Sequence, residues 1–186
     1  IIHDEYQLAA LEKAKLDAPI TCWLKVNTGM HRLGIAPEQF EEFYSRLQKT
    51  PNAKNTVNLM THFSCADDVD RVMKGVDIVI QAASVTSGIN DVISRPFIHI
   101  TDTSVMNSLL LRSSFENKVD KFIFFSCSIM YASSNHALKE KDFNADTEID
   151  PKYFGGAWNK IYFEKMCEFF STQGTTRFTV IRHSNI

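Results

Sequence analysis

The sequence lacks several patterns that identify a partner or a compartment. Basic residues do not outnumber acidic ones, and the formal net charge at pH 7 is -2. We therefore expect no nucleic-acid partner. No apolar run approaches the roughly 18 residues of a membrane span, and no signal peptide is recognisable. We therefore expect no membrane partner. The chain begins without methionine and ends within an apolar strand, as expected of a trimmed piece.

Metal-binding and disulfide patterns are also missing. The four cysteines lie far apart and form no CxxC pair: Cys22, Cys65, Cys127 and Cys167. Such thiols usually behave as small apolar side chains, which suits a reducing cytoplasm. Three histidines are scattered without a carboxylate at ligand spacing: His99, His136 and His183. We therefore predict no metal site.

What is present is an alternation of apolar strands and amphipathic helices. The run 76–84 is apolar and rich in β-branched residues, as is typical of a buried parallel strand. Further strands are predicted to start at Ile20, Val57, Lys121 and Phe178, and the second of these runs to Phe63. Helices are predicted near residues 5–16 with Asp4 as N-cap, near 38–48 after Pro37, and around His99 and Trp158. This order predicts an α/β three-layer sandwich with a mainly parallel sheet of about five strands, Rossmann-like or flavodoxin-like.

Residues 1–68 carry a first family resemblance. The run 23–34, WLKVNTGMHRLG, is followed by Thr61-His62-Phe63 and Ala66-Asp67. These residues resemble the middle of the pyridoxal-phosphate barrel of alanine racemases.

That resemblance implies three residue roles. In the family, the position of Arg32 hydrogen-bonds to groups on the cofactor side, Lys25 can be carbamylated to brace that arginine, and His62 lies against the cofactor ring. The family's Schiff-base lysine lies in a segment before Ile1, and its opposing tyrosine in a later domain. We therefore expect neither pyridoxal phosphate nor racemase activity.

Residues 69–186 carry a second resemblance. Five landmarks follow one another in the order typical of extended short-chain dehydrogenases, closest to the NAD-dependent epimerase/dehydratases of nucleotide sugars. They are the strand 76–83, Arg95-Pro96, the strand end 124–131 with Ser126 and Ser128, Lys160 with Glu164, and the strand 180–185.

This second resemblance implies a nicotinamide site. In the family the strand end at Ala82 and Ala83 flanks the cofactor, and a serine such as Ser126 or Ser128 hydrogen-bonds the substrate hydroxyl. A Tyr-x-x-x-Lys pair removes the substrate proton, and its lysine, at the position of Lys160, holds the ribose and lowers the pKa of the tyrosine.

The chain departs from the family at the general base. Four residues before Lys160 stands Gly156, where the family has its tyrosine, although the intervening Trp158 is retained. Tyr153 and Tyr162 stand at spacings that do not reach the lysine's face of a helix. The proton acceptor is therefore expected to be absent.

The family's glycine-rich phosphate turn is also missing, because residues 1–68 stand in its place. The turn 26–34 follows a strand and precedes a helix, as a phosphate turn does. It lacks a central glycine, and the side chains of Met30 and Arg32 would crowd the approach of a phosphate to the backbone. Phosphate binding and a plain strand-to-helix turn both remain open.

Together these observations predict one α/β domain with a join near residues 66–70, engineered or recombined from two unrelated enzymes. We expect it to be non-catalytic and to require no cofactor. The alternative is an NAD-dependent epimerase/dehydratase, for which NAD would be the cofactor. An incomplete substrate region would expose apolar surface and favour a homodimer; a small-molecule ligand is left open.

Overall fold

The computed structural model of this chain describes residues 1–62, 69, 73–84, 94–132, 134–146 and 149–184. The chain divides into two compact units, Ile1–Cys65 and Ala66–Ile186. Each unit contains parallel strands with helices packed on them. The predicted join at residues 66–70 lies mostly outside the described residues, and the single domain stays a prediction.

The first unit alternates helix and strand. Its described elements are α1 (Glu5–Lys13), β1 (Ile20–Lys25), α2 (Phe40–Lys49) and β2 (Ala53–Met60), with β1 and β2 parallel. As predicted, Asp4 caps α1, because its carboxylate accepts a hydrogen bond from the backbone N–H of Gln7 over 2.9 Å. A 3-10 turn, Pro37–Gln39, leads into α2, where proline fixes the first turn.

Apolar side chains from all four elements form the core of this unit. The buried members include Leu8, Leu11, Cys22, Leu24, Phe43, Leu47 and Val57. At the surface, the guanidinium of Arg46 on α2 donates to both carboxylate oxygens of Glu5 and of Glu12, over 2.8 to 2.9 Å. This bidentate pairing joins α2 to α1.

The second unit is a parallel sheet connected by helices. Its described elements are β3 (Ile78–Gln81), α3 (Pro96–Glu116), β4 (Lys121–Cys127), α4 (Phe154–Ser171) and β5 (Arg177–His183). The strands are ordered β3-β4-β5, so each strand lies beside the next one in the chain. The carboxyl ends of all three therefore meet at one edge.

Both described helices of this unit cover the same face of the sheet. On that face Phe124 is 1% exposed and contacts Phe163 of α4, with ring centroids 6.2 Å apart. Gln81 of β3 donates from the same face to Asn107 of α3. Because side chains alternate along a strand, Ile80 points the other way and is 50% exposed.

A glycine allows α3 and α4 to approach closely. A Cβ on Gly155 would overlap the side chain of Ile100 on α3. Beside this contact, the amide of Asn159 donates to the hydroxyl of Ser104 over 2.5 Å and to the carbonyl of Ile100 over 3.3 Å. The two helices therefore form one packed layer.

The predicted α/β class, with parallel strands and alternating helices, is confirmed. The single five-stranded, three-layer sandwich is approximate, because the described strands pair as groups of two and three, and α3 and α4 form one layer. β2 begins at Ala53 and ends at Met60, earlier than the predicted 57–63, because Ala53 already pairs with Ile20 of β1; a register shift then separates this pair from Cys22 and Val57. None of the described helices combines the length and the apolar character needed to cross a membrane.

Candidate functional site

Lys160 lies on α4 beneath the carboxyl end of β4. Its amine donates to the backbone carbonyl of Phe125 over 2.8 Å and lies 4.9 Å from the ring centroid of Phe124. Burial lowers the pKa of Lys160 below its usual value, while Cys127 and Glu164 act in the opposite direction. The lysine therefore lies at the predicted edge of the sheet with its amine bound to the strand.

Gly156 lies one helical turn before Lys160, as the spacing predicts. A Cβ added there would meet only the side chain of Ile129, at 3.4 Å. The nearby Tyr162 points outward and is 55% exposed. Among the described residues on this part of α4, no phenol shares the face of Lys160; the absence of a general base stays a prediction.

The two candidate serines differ in access. Ser126 is fully buried, and its hydroxyl has no hydrogen-bond partner in the described part of the chain. Ser128 is half-buried, beyond the end of β4, and its carbonyl accepts from the backbone of Tyr131 over 3.1 Å. Only Ser128 is placed where a ligand could reach it; the catalytic role of both serines stays a prediction.

The end of β3 carries the two predicted alanines. Ala82 is exposed and Ala83 half-buried. Beside them the side-chain amide of Gln81 donates to Asn107 over 2.6 Å and to the carbonyl of Ala83 over 3.1 Å. The end of β3 is thus held by the buried side-chain amides of Gln81 and Asn107. In the sequence, the sign of this pair is a glutamine within an apolar strand.

A second polar cluster at this edge was not predicted. Arg182 at the end of β5 binds both carboxylate oxygens of Glu164 on α4, over 2.6 to 3.1 Å, and donates to the hydroxyl of Tyr131 over 2.9 Å. Its guanidinium lies 4.6 Å from the ring centroid of Phe143. The hydrogen bond to Glu164 raises the pKa of Arg182, and burial acts against it. The cluster anchors the segment after β4 to α4 and β5.

In the first unit, two residues of the racemase resemblance, Lys25 and Arg32, act electrostatically on the third, His62. Burial is the main cause that lowers the pKa of His62, and the charges of Arg32 and Lys25 lower it further. These side chains lie at the carboxyl end of β1 and β2, where the hydroxyls of Thr28 and Thr61 are 2.6 Å apart. The cluster is electropositive and suited to an anionic group.

The turn between β1 and α2 is held by the side chain of Asn27. Asn27 accepts from the backbone N–H groups of Gly29 and His31 over 3.1 and 3.0 Å. Gly34 has φ +126°, and a Cβ there would lie 2.7 Å from the backbone nitrogen of Asn27. Tight packing therefore accounts for this glycine, which favours the plain strand-to-helix turn over a phosphate turn.

The described residues fit the two cofactors implied by the resemblances only in part. The charges of Lys25 and Arg32 would suit the phosphate of pyridoxal phosphate, but the roles implied for these two residues and His62 do not include its covalent attachment. For NAD, Ala82 leaves an open strand end, whereas the amine of Lys160 is bound to Phe125. The described residues contain no cluster of three or more metal-ligating side chains.

Comparison with curated proteins gives a clear relationship for the first part of the chain. An alanine racemase from Vibrio parahaemolyticus is 47% identical over 88 residues, covering 47% of this chain and 24% of the relative. The enzyme from Edwardsiella ictaluri is 58% identical over 69 residues, covering 37% and 19%. The matched region therefore spans about a quarter or less of these relatives.

Comparison with solved structures gives the fold. MlghC, a GDP-mannoheptose C4 reductase from Campylobacter jejuni with NADP bound, has a TM-score of 0.61 at 18% identity, covering 92% of this chain and 53% of its own. A UDP-glucose 4-epimerase has a TM-score of 0.51 at 21% identity, covering 72% and 40%. At such identities the likeness establishes a Rossmann-like fold.

Both predicted resemblances are thus confirmed as a composite of two parts: a racemase-like first segment and a fold shared with NAD-dependent reductases and epimerases. The family model described as alanine racemase, N-terminal domain, matches residues 1–108 and so extends past the predicted join. Since this match includes more than half of the 186 residues, the chain belongs to the alanine racemase N-terminal domain family.

Proposed function

We propose that this chain is an engineered or recombined two-part α/β protein that catalyses neither racemisation nor nucleotide-sugar epimerisation. The observation that carries the proposal is the pair Gly156 and Lys160. The position one turn before the lysine offers only a hydrogen atom, and the lysine amine is occupied by the carbonyl of Phe125. A proton acceptor and a free amine are both needed for the family's proton transfer.

The first unit supports the same conclusion for racemisation. Its electropositive cluster of Lys25, Arg32 and His62 can attract an anion, but the racemase reaction also needs a Schiff-base lysine, for which none of the matched positions accounts. We expect pyridoxal phosphate to bind weakly and without a covalent bond.

The alternative function is an NAD-dependent epimerase/dehydratase. It is favoured by one observation, the meeting of an open strand end at Ala82, the accessible Ser128 and Lys160 at the carboxyl edge of the second sheet. Open α/β sheets hold their ligands at this edge. Binding of the dinucleotide, with or without turnover, distinguishes the two functions.

Thermal unfolding with a large excess of NADH tests the proposal. A ligand at about 100 times its dissociation constant stabilises a fold by roughly 2.7 kcal/mol, which would shift the midpoint by several degrees. We expect a cooperative transition that does not shift. A Lys160→Met variant is the matched control: an upward shift in the parent that this variant abolishes would contradict the proposal and favour the epimerase.

Retention of pyridoxal phosphate is tested separately. The chain is incubated with pyridoxal phosphate, reduced with borohydride and dialysed. We expect no stoichiometric pyridoxyl-lysine in its mass spectrum. A single modified lysine would show that the chain attaches the cofactor and would overturn the non-catalytic assignment for the racemase part.

We also propose that the protein resides in the cytoplasm. The described cysteines Cys22, Cys127 and Cys167 are free and buried, which suits a reducing cytoplasm. With a formal net charge of -2, we propose neither a nucleic acid nor a membrane as partner.

A further inference from the structure

A cavity of about 750 Å³ opens on the first unit, toward the amino ends of β1 and β2. Thr21 of β1 and Thr56 and Asn58 of β2 contribute to its wall. These side chains alternate along the strands with the buried Cys22 and Val57, so they lie on the face of the sheet opposite the core that α1 and α2 cover. A cavity of this volume is in the range of small-molecule sites.

Two lysines border the cavity. Lys49 ends α2 and Lys54 is the second residue of β2, and both side chains are exposed. Neither amine has a hydrogen-bond or ion-pair partner within the described part of the chain. None of the described residues that line the cavity carries a carboxylate. The rim is therefore positively charged and favours an anion.

The carboxyl end of α2 reduces this charge without cancelling it. A helix carboxyl terminus carries roughly half a negative charge, whereas the two amines carry two full positive charges. Lys49 lies in the last turn, where a cation offsets the helix end. The balance is roughly +1.5, which a phosphate group with a charge of about −1.5 to −2 near pH 7 complements.

Uncharged hydrogen-bonding groups line much of the rest of the cavity. The carboxamides of Gln48, Asn55 and Asn58 each carry two N–H donors and a carbonyl acceptor. The hydroxyls of Thr21 and Thr56 can donate or accept. Sugar hydroxyl groups also do both, so they match this wall, whereas a phosphate by itself offers no donors to the carbonyl acceptors.

The loop that joins α2 to β2 is fixed by buried hydrogen bonds. Its Asn52 is 6% exposed, and the side-chain amide donates to the carbonyls of Leu11 and Ala14, each over 2.8 Å. The carbonyl of Asn52 accepts from the backbone N–H of Ile20 over 2.9 Å. The backbone that carries both lysines is thus held in place, and a preorganised site loses little conformational freedom on binding.

We propose that this cavity binds a small sugar phosphate, with the phosphate on Lys49 and Lys54 and the sugar hydroxyls on the carboxamides and threonines of the wall. The proposal concerns binding and includes no reaction. It does not depend on the cluster of Lys25, Arg32 and His62, which lies at the carboxyl ends of the same strands.

Isothermal titration of the full chain with glucose 6-phosphate is the first test. We expect saturable one-to-one binding that is at least about tenfold tighter than the binding of glucose, which lacks the charge, and of inorganic phosphate, which lacks the sugar hydroxyls. A difference of less than tenfold from either compound, or no saturation below about 10 mM, would overturn the proposal.

Variants of the two lysines test the phosphate contact. Lys49→Gln and Lys54→Gln should each weaken the binding of glucose 6-phosphate by at least about threefold, as expected for exposed charge pairs, and the double variant by about tenfold. Lys13→Gln, at an exposed lysine of α1 outside the cavity, is the charge-matched control and should leave the affinity unchanged. An equal loss in the control would indicate a general charge effect and contradict the site.

Fluorescence of Trp23 reports the position of the ligand independently. Trp23 pairs with Asn58 in the register of β1 and β2. In a Trp158→Phe background Trp23 is the remaining tryptophan, and its emission should change with the same midpoint as the titration heat. Emission that stays constant at saturating glucose 6-phosphate would show that the ligand binds elsewhere and would also overturn the proposal.

Discussion

The amine of Lys160 donates to the backbone carbonyl of Phe125 over 2.8 Å, while the position one helical turn earlier is Gly156. In this arrangement the lysine supports the end of β4 instead of a neighbouring phenol. Burial removes solvent from the amine of Lys160 and is the main cause that lowers its pKa. The hydrogen bond to the strand replaces part of that lost solvent.

Restoring a tyrosine should not restore activity. We expect Gly156→Tyr to show no reduction of NAD by a nucleotide sugar such as UDP-glucose, because the amine is already bound to Phe125 and the first unit offers a plain turn where a phosphate turn is needed. The first added carbon contacts only Ile129, so the variant should fold. Gly156→Phe, which lacks the hydroxyl, is the matched control; hydride transfer by the tyrosine variant alone would refute the prediction.

Removing the cation of the cluster at β5 should strongly destabilise the second unit. In Arg182→Met the carboxylate of Glu164, whose side chain is 11% exposed, loses its partner. Breaking a buried pair on one side typically costs about 3–5 kcal/mol, whereas replacing both partners by apolar groups costs less. Urea unfolding should therefore show a smaller loss for Arg182→Met/Glu164→Leu than for the single variant.

Lys165→Met is the control for this measurement, because its pair with Glu168 is exposed. An exposed pair contributes about 0–1 kcal/mol. Equal losses in the single and double variants at Arg182 would show that packing of the arginine against Phe143, and not the unpaired carboxylate, accounts for the effect.

Acid should weaken the first unit through Arg46. Its hydrogen bonds are the main cause that lowers the pKa of Glu5 and of Glu12. A carboxyl group whose pKa is lowered by folding contributes stability above its ordinary pKa, and this contribution is lost as pH falls through the lowered value. The thermal midpoint should therefore fall as pH drops below the ordinary glutamate pKa of about 4.3.

Arg46→Gln should reduce stability at neutral pH and flatten this acid dependence. Lys49→Gln, which removes an exposed cation from the same helix, should leave the dependence as it is. If Arg46→Gln retains the full acid dependence, other carboxyl groups are responsible. Added salt should reduce the difference between the parent and Arg46→Gln, because the pairing is near the surface.

The sequence by itself determined most of the local elements. Alternation of apolar strands with helices predicts the α/β class, since each element buries one face. Asp4 and Pro37 marked helix starts because capping and a fixed φ are local effects. The position of Gly156 one turn before Lys160 also followed from spacing alone, because residues four apart share one side of a helix.

Only the tertiary structure decided how those elements pair. Arg182 and Glu164 are 18 positions apart, and Gln81 and Asn107 are 26 apart. These partners meet only because particular strands and helices pack together. A single sequence contains no local signal for that packing. The grouping of the five described strands into two and three was decided in the same way, because backbone hydrogen bonds between strands do not depend on residue type.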